Sequence, residues 1–503
     1  MVRNAKINPP PRPKTRPRLS LFGHENAMSS PTQREPNPPS TRPVVAVAGA
    51  TGFLGTALAA ELGQRFHLIG LTRSKRTSIA NYDQVKSADL FSRSDTIAAL
   101  EGADFAIYLV HSMMPSARLV QASFRDLDLL CADNFAQAAA AQGVRHIVYV
   151  GGLQPRGGAT SAHLESRVEV ETVLGSYGVP VTTLRAGMIV GGSGSSFQIL
   201  RRLIDRLPIM VCPSWTNTAT HPVALADVVW ALNEVIDSPG DSSRVFDLGA
   251  AERLTYRELM ATTAEVMGKH RRFLPVPWVS PGLSRLWVSM VTGAPKALVA
   301  PLISSPRHEM LAREDPQFRI AGEPRTPIHL TLKEAVFDAS PASSEPRAFR
   351  KAQTGNTEHT VLSVQRMQIP EGRDAEWAAD QYLLWLPHAM GGLTPLRVTQ
   401  SENILHFRLF SWGPVLLSIE PRLGAGRPVF RVLGGLLARQ TTRGRLEFRT
   451  VLDGRTLIVA VHEFVPRLPW WIYRLSQALA HRWIMFRFAS FLGRQPRAFD
   501  TES

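Results

Sequence analysis

The clearest pattern in the chain is an unbroken run of five small or branched apolar residues at positions 44–48. Such a run predicts a strand that is buried on both faces, as in the middle of a parallel sheet. Gly49, Gly52 and Gly55 follow at three-residue spacing, and positions 56–62 predict a helix. The pattern therefore predicts a strand, a tight glycine turn and a helix in direct succession.

Strands and helices continue to alternate beyond this first unit. Strands are predicted at 67–71, 85–88, 104–110, 145–150 and 180–185, and helices at 94–100, 118–142 and 162–177. This alternation predicts an α/β fold with a Rossmann-type, doubly wound parallel sheet. The pattern loosens near residue 207, where we expect a substrate-side subdomain with helices at 225–236 and 255–267. Prolines and large apolar residues at 275–328 predict short helices over the carboxyl edge of the sheet, as core packing or as an apolar wall for a substrate.

A different pattern begins after residue 338. Ala, Ser and Pro are frequent in 339–358, which predicts a linker. Strands are predicted beyond it at 361–367, 396–400, 404–410, 415–420, 445–451 and 456–464, and an aromatic-rich helix at 470–492. We therefore expect a Rossmann domain at 44–338, including its substrate-side subdomain, and a separate α+β domain at 359–495.

The charge of the chain is concentrated at its two ends. The net charge is +15; residues 1–43 carry eight Lys or Arg against two Glu, and residues 405–503 carry fifteen Arg against six acidic residues. The proline-rich segment 1–43 is expected to be a disordered basic tail. A basic balance is compatible with an anionic membrane surface, with nucleic acid, or simply with the arginine usage of a high-GC genome. We expect no nucleic-acid partner and keep peripheral membrane contact, at the inner face of a membrane, as an open alternative.

The remaining composition favours a cytoplasmic globular protein. Hydrophobic residues make up 44% of the chain and charged residues 20%. Cys131 and Cys212 are too few for a disulfide framework and have no metal-site spacing with histidine, so we expect no metal site. The apolar stretches at 281–303 and 468–492 are interrupted by basic residues, so neither predicts a membrane span of about 20 residues.

The glycine turn predicts a dinucleotide site. Glycines allow the tight turn, the close approach of backbone to a pyrophosphate and the close packing of helix on strand. The start of the following helix offers unpaired N–H groups and a positive dipole end to phosphates. The predicted cofactor contacts are Gly49, Thr51, Gly52, Phe53, Leu54 and Gly55.

The residues after the second and third strands indicate which dinucleotide binds. An NAD-preferring site places Asp or Glu after the second strand, whereas this chain places Arg73 and Ser74 there, with Lys75 and Arg76 close by. A guanidinium at this point can pair with a 2′-phosphate, which favours NADP(H) over NAD(H). Asp89 and Leu90 end the third strand and are suitably placed for an adenine; an ordinary strand end is the alternative.

Three segments together resemble the short-chain dehydrogenase/reductase superfamily: the glycine loop at 49–55, residues 184–187 and residues 221–228. They are most similar to its atypical branch, with the NmrA-like proteins and the 39-kDa-subunit-like proteins of respiratory complex I. The resemblance covers residues 44 to 338 and implies NAD(P) binding on a Rossmann fold. The second half resembles a domain of unknown function that is fused to such proteins in bacteria, with a weaker likeness to helix-grip, START-like domains.

The chain departs from this superfamily at the positions that carry its chemistry. Active members use Tyr-x-x-x-Lys on the helix after the fifth strand and a Ser or Thr at the end of that strand. Here His163 and Arg167 stand at the tyrosine and lysine positions, and Gly151 and Gly152 end the strand. The resemblance implies that Arg167 holds the ribose. His163, kept neutral by that cation, would then be a proton relay with an ionisation between about pH 5 and 8.

Two further segments are candidates for ligand contact. Val110 and His111 follow the fourth strand, where family members line the nicotinamide pocket, so we expect cofactor contact from both. Residues 193–196 resemble a substrate-side or pyrophosphate-side loop, and are equally typical of a helix-capping turn.

Three functions are compatible with these features. The first is an NADP(H)-binding oxidoreductase acting on an apolar carbonyl or quinone-like compound, with His163 and Arg167 at its catalytic centre. The second is a regulatory or scaffold protein that binds NADP(H) without turnover, in which the same pair is structural. The third is a carrier of a lipid or another apolar ligand in the C-terminal domain.

Overall fold

The computed structural model describes residues 42–74, 76–111, 119–155, 161–276, 281–295, 299, 308–339, 360–389, 396–422 and 426–497. The expected basic tail, except for its last two residues, and the expected linker, except for its first, lie outside these residues, as does Lys75. Residues 40–503 form one compact unit.

A seven-stranded parallel sheet forms the N-terminal half and confirms the predicted Rossmann-type architecture. Its strands are β1 (Val44–Ala48), β2 (His67–Thr72), β3 (Gln84–Ser87), β4 (Phe105–Tyr108), β6 (His146–Gly152), β7 (Val181–Ala186) and β12 (Arg244–Leu248). They are arranged in the order β12-β7-β6-β4-β1-β2-β3, and every pairing is parallel. The order reverses between β1 and β4, and ligands of open α/β sheets bind at such a reversal.

Helices cover both faces of this sheet, which is why its central strands are apolar throughout. Helices α1 (Phe53–Leu62) and α6 (Leu225–Asp237) pack with β1 on one face. Helices α2 (Arg93–Leu100), α3 (Phe124–Ala141) and α4 (Ala162–Leu174) pack on the other face. Residues of β1 are in contact with both cores, as a strand buried on both faces requires.

The predicted helix over 118–142 is partly wrong. Residues Leu119–Gln121 form a short strand, β5, and α3 begins only at Phe124. The side chain of Ser123 accepts a hydrogen bond from the N–H of Asp126 and so caps the helix start. Strand β5 pairs in parallel with residues 361–363, so a partner from the other end of the chain determines its conformation.

A smaller substrate-side part follows β7. Its elements are β8 (Ile189–Val190), α5 (Ser195–Arg206), β9 (Ile209–Pro213), β10 (Ala219–Thr220), β11 (Val223–Ala224), β13 (Leu254–Thr255), α7 (Tyr256–Val266), β14 (Arg272–Val276), α8 (Pro281–Thr292) and α9 (Ile328–Asp338). The predicted helices at 225–236 and 255–267 are confirmed as α6 and α7. Thr255 and Glu258 start α7 with a reciprocal capping box. Helix α8 and a short helical turn at Pro316–Phe318 lie within the stretch expected to hold short helices.

A second, mostly antiparallel sheet forms the C-terminal half. Its strands, beside β5, are β15 (Val361–Gln368), β16 (Leu396–Ser401), β17 (Ile404–Leu409), β18 (Val415–Arg422), β19 (Val429–Gly434), β20 (Arg445–Val451) and β21 (Thr456–Phe464). The order is β16-β17-β18-β19-β20-β21-β15-β5. The six predicted strands are confirmed, and β19 and helix α10 (Ala375–Trp385) were not predicted. The predicted helix at 470–492 is two helices, α11 (Trp470–Leu475) and α12 (Gln477–Leu492), which meet at Ser476.

The two sheets share a hydrophobic core. Leu362, Val364, Ile458 and Ala460 of the second sheet pack in the same cluster as residues of α2 and α3. One face of the second sheet therefore covers the helices that lie on one face of the first sheet. None of the described helices is long and apolar enough to cross a membrane.

A buried ion cluster crosses this shared core. Arg449 of β20 donates hydrogen bonds to Asp133 and Asn134 of α3 and to Glu447 on its own strand. Arg427 also pairs with Glu447, at 2.6 Å. The neighbouring arginines hold the pKa of Glu447 far below its usual range, although burial alone would raise it.

Candidate cofactor-binding and active site

The glycine loop forms the tight turn that its sequence predicts. Gly49 has φ +97°, a conformation that side chains other than glycine rarely adopt. The N–H of Gly52 donates to the carbonyl of Gly49 at 2.8 Å. Gly52 is also the N-cap of α1, and no side chain caps that helix. The first-turn N–H groups of α1 therefore remain available to an anion.

The other two glycines serve different purposes. A Cβ atom on Gly55 would lie 2.5 Å from the carbonyl oxygen of Gly49 and 2.9 Å from Cα of Ala50, so a side chain there would force α1 off β1. A Cβ atom on Gly52 would lie 3.1 Å from the oxygen of Gly49, and Gly52 is exposed. Gly55 is thus required for packing, whereas the backbone at Gly52 is open to the approach of a ligand.

A second glycine loop lies beside the first. The ring of Phe53 packs so closely on Gly191 that a Cβ atom there would lie 2.8 Å from its Cζ atom, and it also touches Gly194. Gly194 is the N-cap of α5, without a side-chain cap. Residues 193–196 therefore form the turn that begins α5, beside the first glycine loop. Phe53 holds the two loops together.

Two of the predicted adenosine-side residues lie within electrostatic range of one buried thiol of α3. Arg73 and Ser74 are exposed at the end of β2, and Asp89 is half-buried after β3. Burial raises the pKa of the Cys131 thiol, Asp89 raises it further and Arg73 lowers it. Arg73 and Asp89, from different strand ends, are therefore both close enough to α3 to act on the same buried thiol.

The side chain of Leu90 is buried and is not exposed as a contact to an adenine base would be. It is 7% exposed and packs in the shared core, where it anchors the Asp89–Leu90 segment. Its carbonyl accepts a hydrogen bond from Nδ2 of Asn134 at 2.8 Å. Because Arg449 holds the oxygen of Asn134, the second sheet is linked to the Asp89–Leu90 segment through one amide side chain.

The nicotinamide-side residues converge on a buried arginine. Arg167 is 5% exposed, and its Nη1 atom contacts both ring nitrogens of His111, with Nε2 at 3.1 Å. A Cβ atom on Gly152, at the end of β6, would lie 3.7 Å from Cγ of Arg167. Val110 is half-buried beside His111. The structure therefore brings His111, Gly152 and Arg167 together, from the ends of two strands and the start of α4.

His163 is close to this group but is strongly desolvated. Burial, with a further contribution from the charge of Arg167, lowers the pKa of His163 to about 3. Its ring lies near that of Phe124, with centroids 6.3 Å apart. Its Nδ1 atom has no hydrogen-bond partner among the described residues. A pKa of about 3 lies below the range expected for a proton relay and keeps the ring neutral at pH 5–8.

His111 is also held neutral. The surrounding protein atoms lower the pKa of His111 well below its usual range, and the charges of Arg167 and His163 lower it further. The residue nevertheless keeps an exposed surface. A neutral imidazole that faces a fixed guanidinium presents one N–H and one lone pair, and the lone pair suits the arginine.

Tyr149 is a member of this site that the sequence analysis missed. It lies on β6, fully buried, and burial raises the pKa of its hydroxyl to about 12, whereas the guanidinium of Arg167 lowers it. Asp128 is buried below and raises the same pKa. An interior strand position gives no sequence signal other than core packing, so only the position of Arg167 reveals the contact. Tyr149 is too deeply buried to replace the missing surface tyrosine.

The described residues contain no group of three or more His, Cys, Asp or Glu side chains that could hold a metal ion.

Comparison with known proteins agrees with this geometry. A family model described as NAD(P)H-binding matches residues 49–202, from the first glycine of the loop into α5. The chain is also 31% identical over 147 residues to the auxiliary protein GraX of Staphylococcus aureus, strain NCTC 8325 / PS 47. That alignment covers 28% of this chain and 43% of GraX, so the chain spans less than half the length of this relative.

Several solved structures are similar to the N-terminal part. The triphenylmethane reductase of Citrobacter sp., complexed with NADP(H), has a TM-score of 0.47 and 19% identity, over 58% of this chain and 99% of that one. A nucleoside-diphosphate-sugar epimerase of Staphylococcus aureus has a TM-score of 0.47 and 17% identity, over 58% of this chain and 100% of that one. An NADPH-dependent quinone oxidoreductase of Escherichia coli, complexed with NADPH, has a TM-score of 0.46 and 18% identity, over 58% of this chain and 99% of that one.

The parallel sheet and its glycine loop define the class: the N-terminal half of this chain has a Rossmann-type fold. Within that class, residues 49–202 match the NAD(P)H-binding family.

Proposed function

We propose that the chain is an NADP(H)-dependent oxidoreductase that reduces an apolar, quinone-like or carbonyl compound. The observation that carries the proposal is the contact of the buried Arg167 with His111, at the same sheet edge as an uncapped glycine loop. The loop would bind the pyrophosphate, and Arg167 would hold the ribose or the developing charge on the substrate.

The preference for NADP(H) is supported by charge. Arg73 is exposed at the end of β2, and Arg76 is exposed nearby. The segment from Thr72 to Arg76 contains no acidic residue that would bind the two ribose hydroxyls of NAD(H). A guanidinium can bind a 2′-phosphate through two parallel hydrogen bonds.

The missing tyrosine favours a quinone over a simple carbonyl substrate. Bound NADPH supplies a hydride. Reduction of a ketone or aldehyde yields an alkoxide about as basic as hydroxide, whose conjugate acid has a pKa of about 15.7, so a proton donor is needed at once. A quinone yields a phenolate, whose conjugate acid has a pKa of about 10, as in tyrosine. The fixed cation of Arg167 can stabilise a phenolate until water protonates it, and this needs no acid from His163.

A cavity beside α3 offers room for a substrate. It has a volume of about 500 Å³ and lies between the start of α3, strand β15 and helices α11 and α12. Its lining is mixed, with apolar residues such as Val120 and Leu479 and with polar or charged residues such as Gln121 and Arg482. Phe124, the first residue of α3, lies near His163, with ring centroids 6.3 Å apart. We place the substrate in this cavity, with its apolar part against the apolar residues.

A second candidate function is a non-catalytic NADP(H) sensor. It is favoured by the link from the second sheet to the adenosine side of the site: Arg449 holds Asn134, which holds the carbonyl of Leu90. In addition, Arg443 donates to the carboxylate of Asp95 at 2.7 Å, just beyond this segment. A change in the Asp89–Leu90 segment on cofactor binding would therefore be transmitted to the second sheet.

The experiment that separates the two functions combines binding with turnover. The full chain is titrated with NADPH, and NADPH consumption is followed with a panel of quinones, aldehydes and ketones. Consumption with quinones supports the oxidoreductase, and consumption with aldehydes or ketones alone contradicts the argument for a quinone. Binding without consumption across the panel supports the sensor. No binding of NADPH would contradict both functions.

We also propose that the protein works in the cytoplasm, in peripheral contact with the inner face of a membrane. The support is the C-terminal segment 405–503, with its fifteen arginines and six acidic residues. Anionic lipids attract such a segment by about 1 kcal/mol for each basic residue near the surface.

A further inference from the structure

Five large apolar side chains are exposed along the two C-terminal helices. Trp471 and Leu475 of α11 are 67% and 72% exposed, and Leu479, Trp483 and Phe486 of α12 are 53%, 43% and 71% exposed. Successive members are three or four residues apart, the spacing of neighbours on one helix face. Within α12 the three residues lie inside an arc of about 60°. We call these five residues the apolar stripe.

The charge around the apolar stripe has a single sign. Residues 465–499 contain six arginines and no acidic residue. Arg482 and Arg487 lie on either side of the stripe in α12, and Arg474 lies beside it in α11. The guanidinium of Arg487 lies 5.4 Å from the centre of the Trp483 ring. All three arginines are exposed, and none forms an ion pair with a carboxylate in the described part of the chain.

An aromatic loop lies beside the same helices. Trp412, in the β17–β18 turn, is 85% exposed and stacks on Phe410, with ring centroids 5.5 Å apart. The N–H of Leu436, which is itself 47% exposed, donates to the carbonyl of Val415, just after this turn. The carbonyl of Leu437, the next residue, accepts a hydrogen bond from the side chain of Gln477, the first residue of α12. These contacts connect the aromatic turn to the start of α12.

We infer that the apolar stripe docks the protein onto an anionic lipid bilayer, with α12 lying in the plane of the membrane surface. Tryptophan, leucine and phenylalanine are the side chains that enter the boundary between headgroups and acyl chains. Arginines on both sides of the stripe would reach lipid phosphates, and the absence of carboxylates removes repulsion. Charge complementarity thus selects an anionic bilayer as the occupant. The inference rests on the membrane contact in the proposed function and names its surface.

Docking in this orientation would bring the 500 Å³ cavity to the membrane. Arg474, Leu479 and Arg482 line the cavity, and Leu479 also belongs to the apolar stripe. The opposite side of the cavity is formed by Gln121 and Ser123, which precede α3. An apolar substrate dissolved in the bilayer could therefore enter the cavity from the lipid and reach the vicinity of His163.

The test is vesicle co-sedimentation of the full chain, with phosphatidylcholine vesicles and with vesicles that also contain phosphatidylglycerol. We expect binding to the anionic vesicles, weaker binding to the neutral ones, and weakening by salt. The double variant Trp483→Glu with Phe486→Glu should bind at least about tenfold more weakly, because two carboxylates replace two inserted rings. Arg487→Glu should also reduce binding severalfold.

Two exposed positions outside the two C-terminal helices provide matched controls. Phe337 in α9 is 90% exposed, and Arg455 is exposed in the β20–β21 turn. Phe337→Glu introduces the charge of one of the two stripe substitutions, and Arg455→Glu the same change of charge as Arg487→Glu; both should leave vesicle binding unchanged. Equal losses in these controls, or no loss in the stripe variants, would overturn the inference. A concentration-dependent dimer that only the stripe variants abolish would overturn it in favour of a second copy of this chain.

The same variants keep the test separate from the proposed oxidoreductase. Trp483, Phe486 and Arg487 do not line the cavity, so NADPH titration and reduction of a water-soluble quinone should be unchanged in them. Intact NADPH titration without vesicle binding would overturn the docking surface alone. Vesicle binding by a chain that does not bind NADPH would support the docking surface and contradict the proposed function.

Discussion

At the scale of single residues, the site holds a fixed cation, Arg167, beside the neutral imidazole of His163. A guanidinium remains charged at all physiological pH values, so Arg167 can hold an anion but cannot relay a proton. Burial keeps the imidazole of His163 neutral, with a pKa of about 3. These residues thus favour the proposed reduction of a quinone, because its product anion is stable until water protonates it.

Cofactor preference should depend on Arg73. Arg73→Asp should lower NADPH affinity by about 2–3 kcal/mol, the usual scale for loss of a charge-assisted contact, and should improve NADH binding relative to wild type. Arg73 is exposed, so the fold should tolerate the change. Titration of both cofactors against both proteins measures this. An equal loss for NADPH and NADH would show that Arg73 does not contact the 2′-phosphate.

The roles of Arg167 and His163 should separate in kinetics. Arg167→Ala should weaken NADPH binding and turnover, and Arg167→Lys should restore part of both because it keeps the charge. His163→Phe should leave NADPH binding unchanged, and wild-type turnover should show no ionisation between pH 5 and 8, because the pKa of His163 is about 3. An ionisation in that range that disappears in His163→Phe would restore the relay.

The sequence could predict the glycine loop because three glycines after an apolar run have one common structural solution. It could also place His111 and Arg167 at strand and helix ends that meet. It could not show that the Leu90 side chain is in the core, nor that Tyr149 lies against Arg167. Those facts depend on contacts between distant elements, and a buried residue has the same pattern whether its neighbour is a leucine or a guanidinium.

At the scale of elements, residues 119–121 show how a partner can override a local pattern. The residues around them are typical of the helix that follows, yet they form a strand because β15 pairs with them. Strand β19 was missed for a related reason: its buried residues alternate with half-buried ones between glycines and arginines, which resembles a loop. The break at Ser476 likewise divides a segment whose composition is helical throughout.

The fold should be especially sensitive to substitutions in the buried ion pair between α3 and β20. Asp133→Ala leaves the buried guanidinium of Arg449 without one of its carboxylates, so the free energy of unfolding should fall by about 3–5 kcal/mol. Asp237, which pairs with Arg65 at the surface, is a matched control, and Asp237→Ala should cost less than about 1 kcal/mol. Urea denaturation of both variants measures the difference. Equal effects would show that the buried pair is not required for the joint.

At the scale of the whole molecule, the chain combines a cofactor-binding sheet with a second sheet that shares its core. The two architectures were predictable from the change of hydrophobic period near residue 360. Their shared core was not, because the residues that form it are ordinary apolar positions in both halves. The ion cluster around Arg449 joins them in the same place.

Stability should fall as the solution is acidified from about pH 6.5. Burial lowers the pKa of His146 and His481 to about 4, and that of His163 and His462 to about 3. An unfolded chain protonates these rings near pH 6.5, so it takes up protons first and gains free energy relative to the folded chain as pH falls. Thermal melting from pH 7.5 to 4.5 should show this decline. A constant melting temperature between pH 7 and 5 would contradict it.

The most direct test of the whole account is NADPH titration of the wild-type chain and of Gly52→Val. Gly52 is exposed and has φ −78°, which valine adopts readily, so the variant should fold. The poorer N-cap and a Cβ contact of 3.1 Å with the oxygen of Gly49 should lower its melting temperature only slightly. Its side chain should nevertheless block the pyrophosphate from the N–H groups of α1 and abolish most NADPH binding. The account predicts saturable binding by wild type and its loss in Gly52→Val. Unchanged binding in the variant, or no binding by wild type, would contradict it.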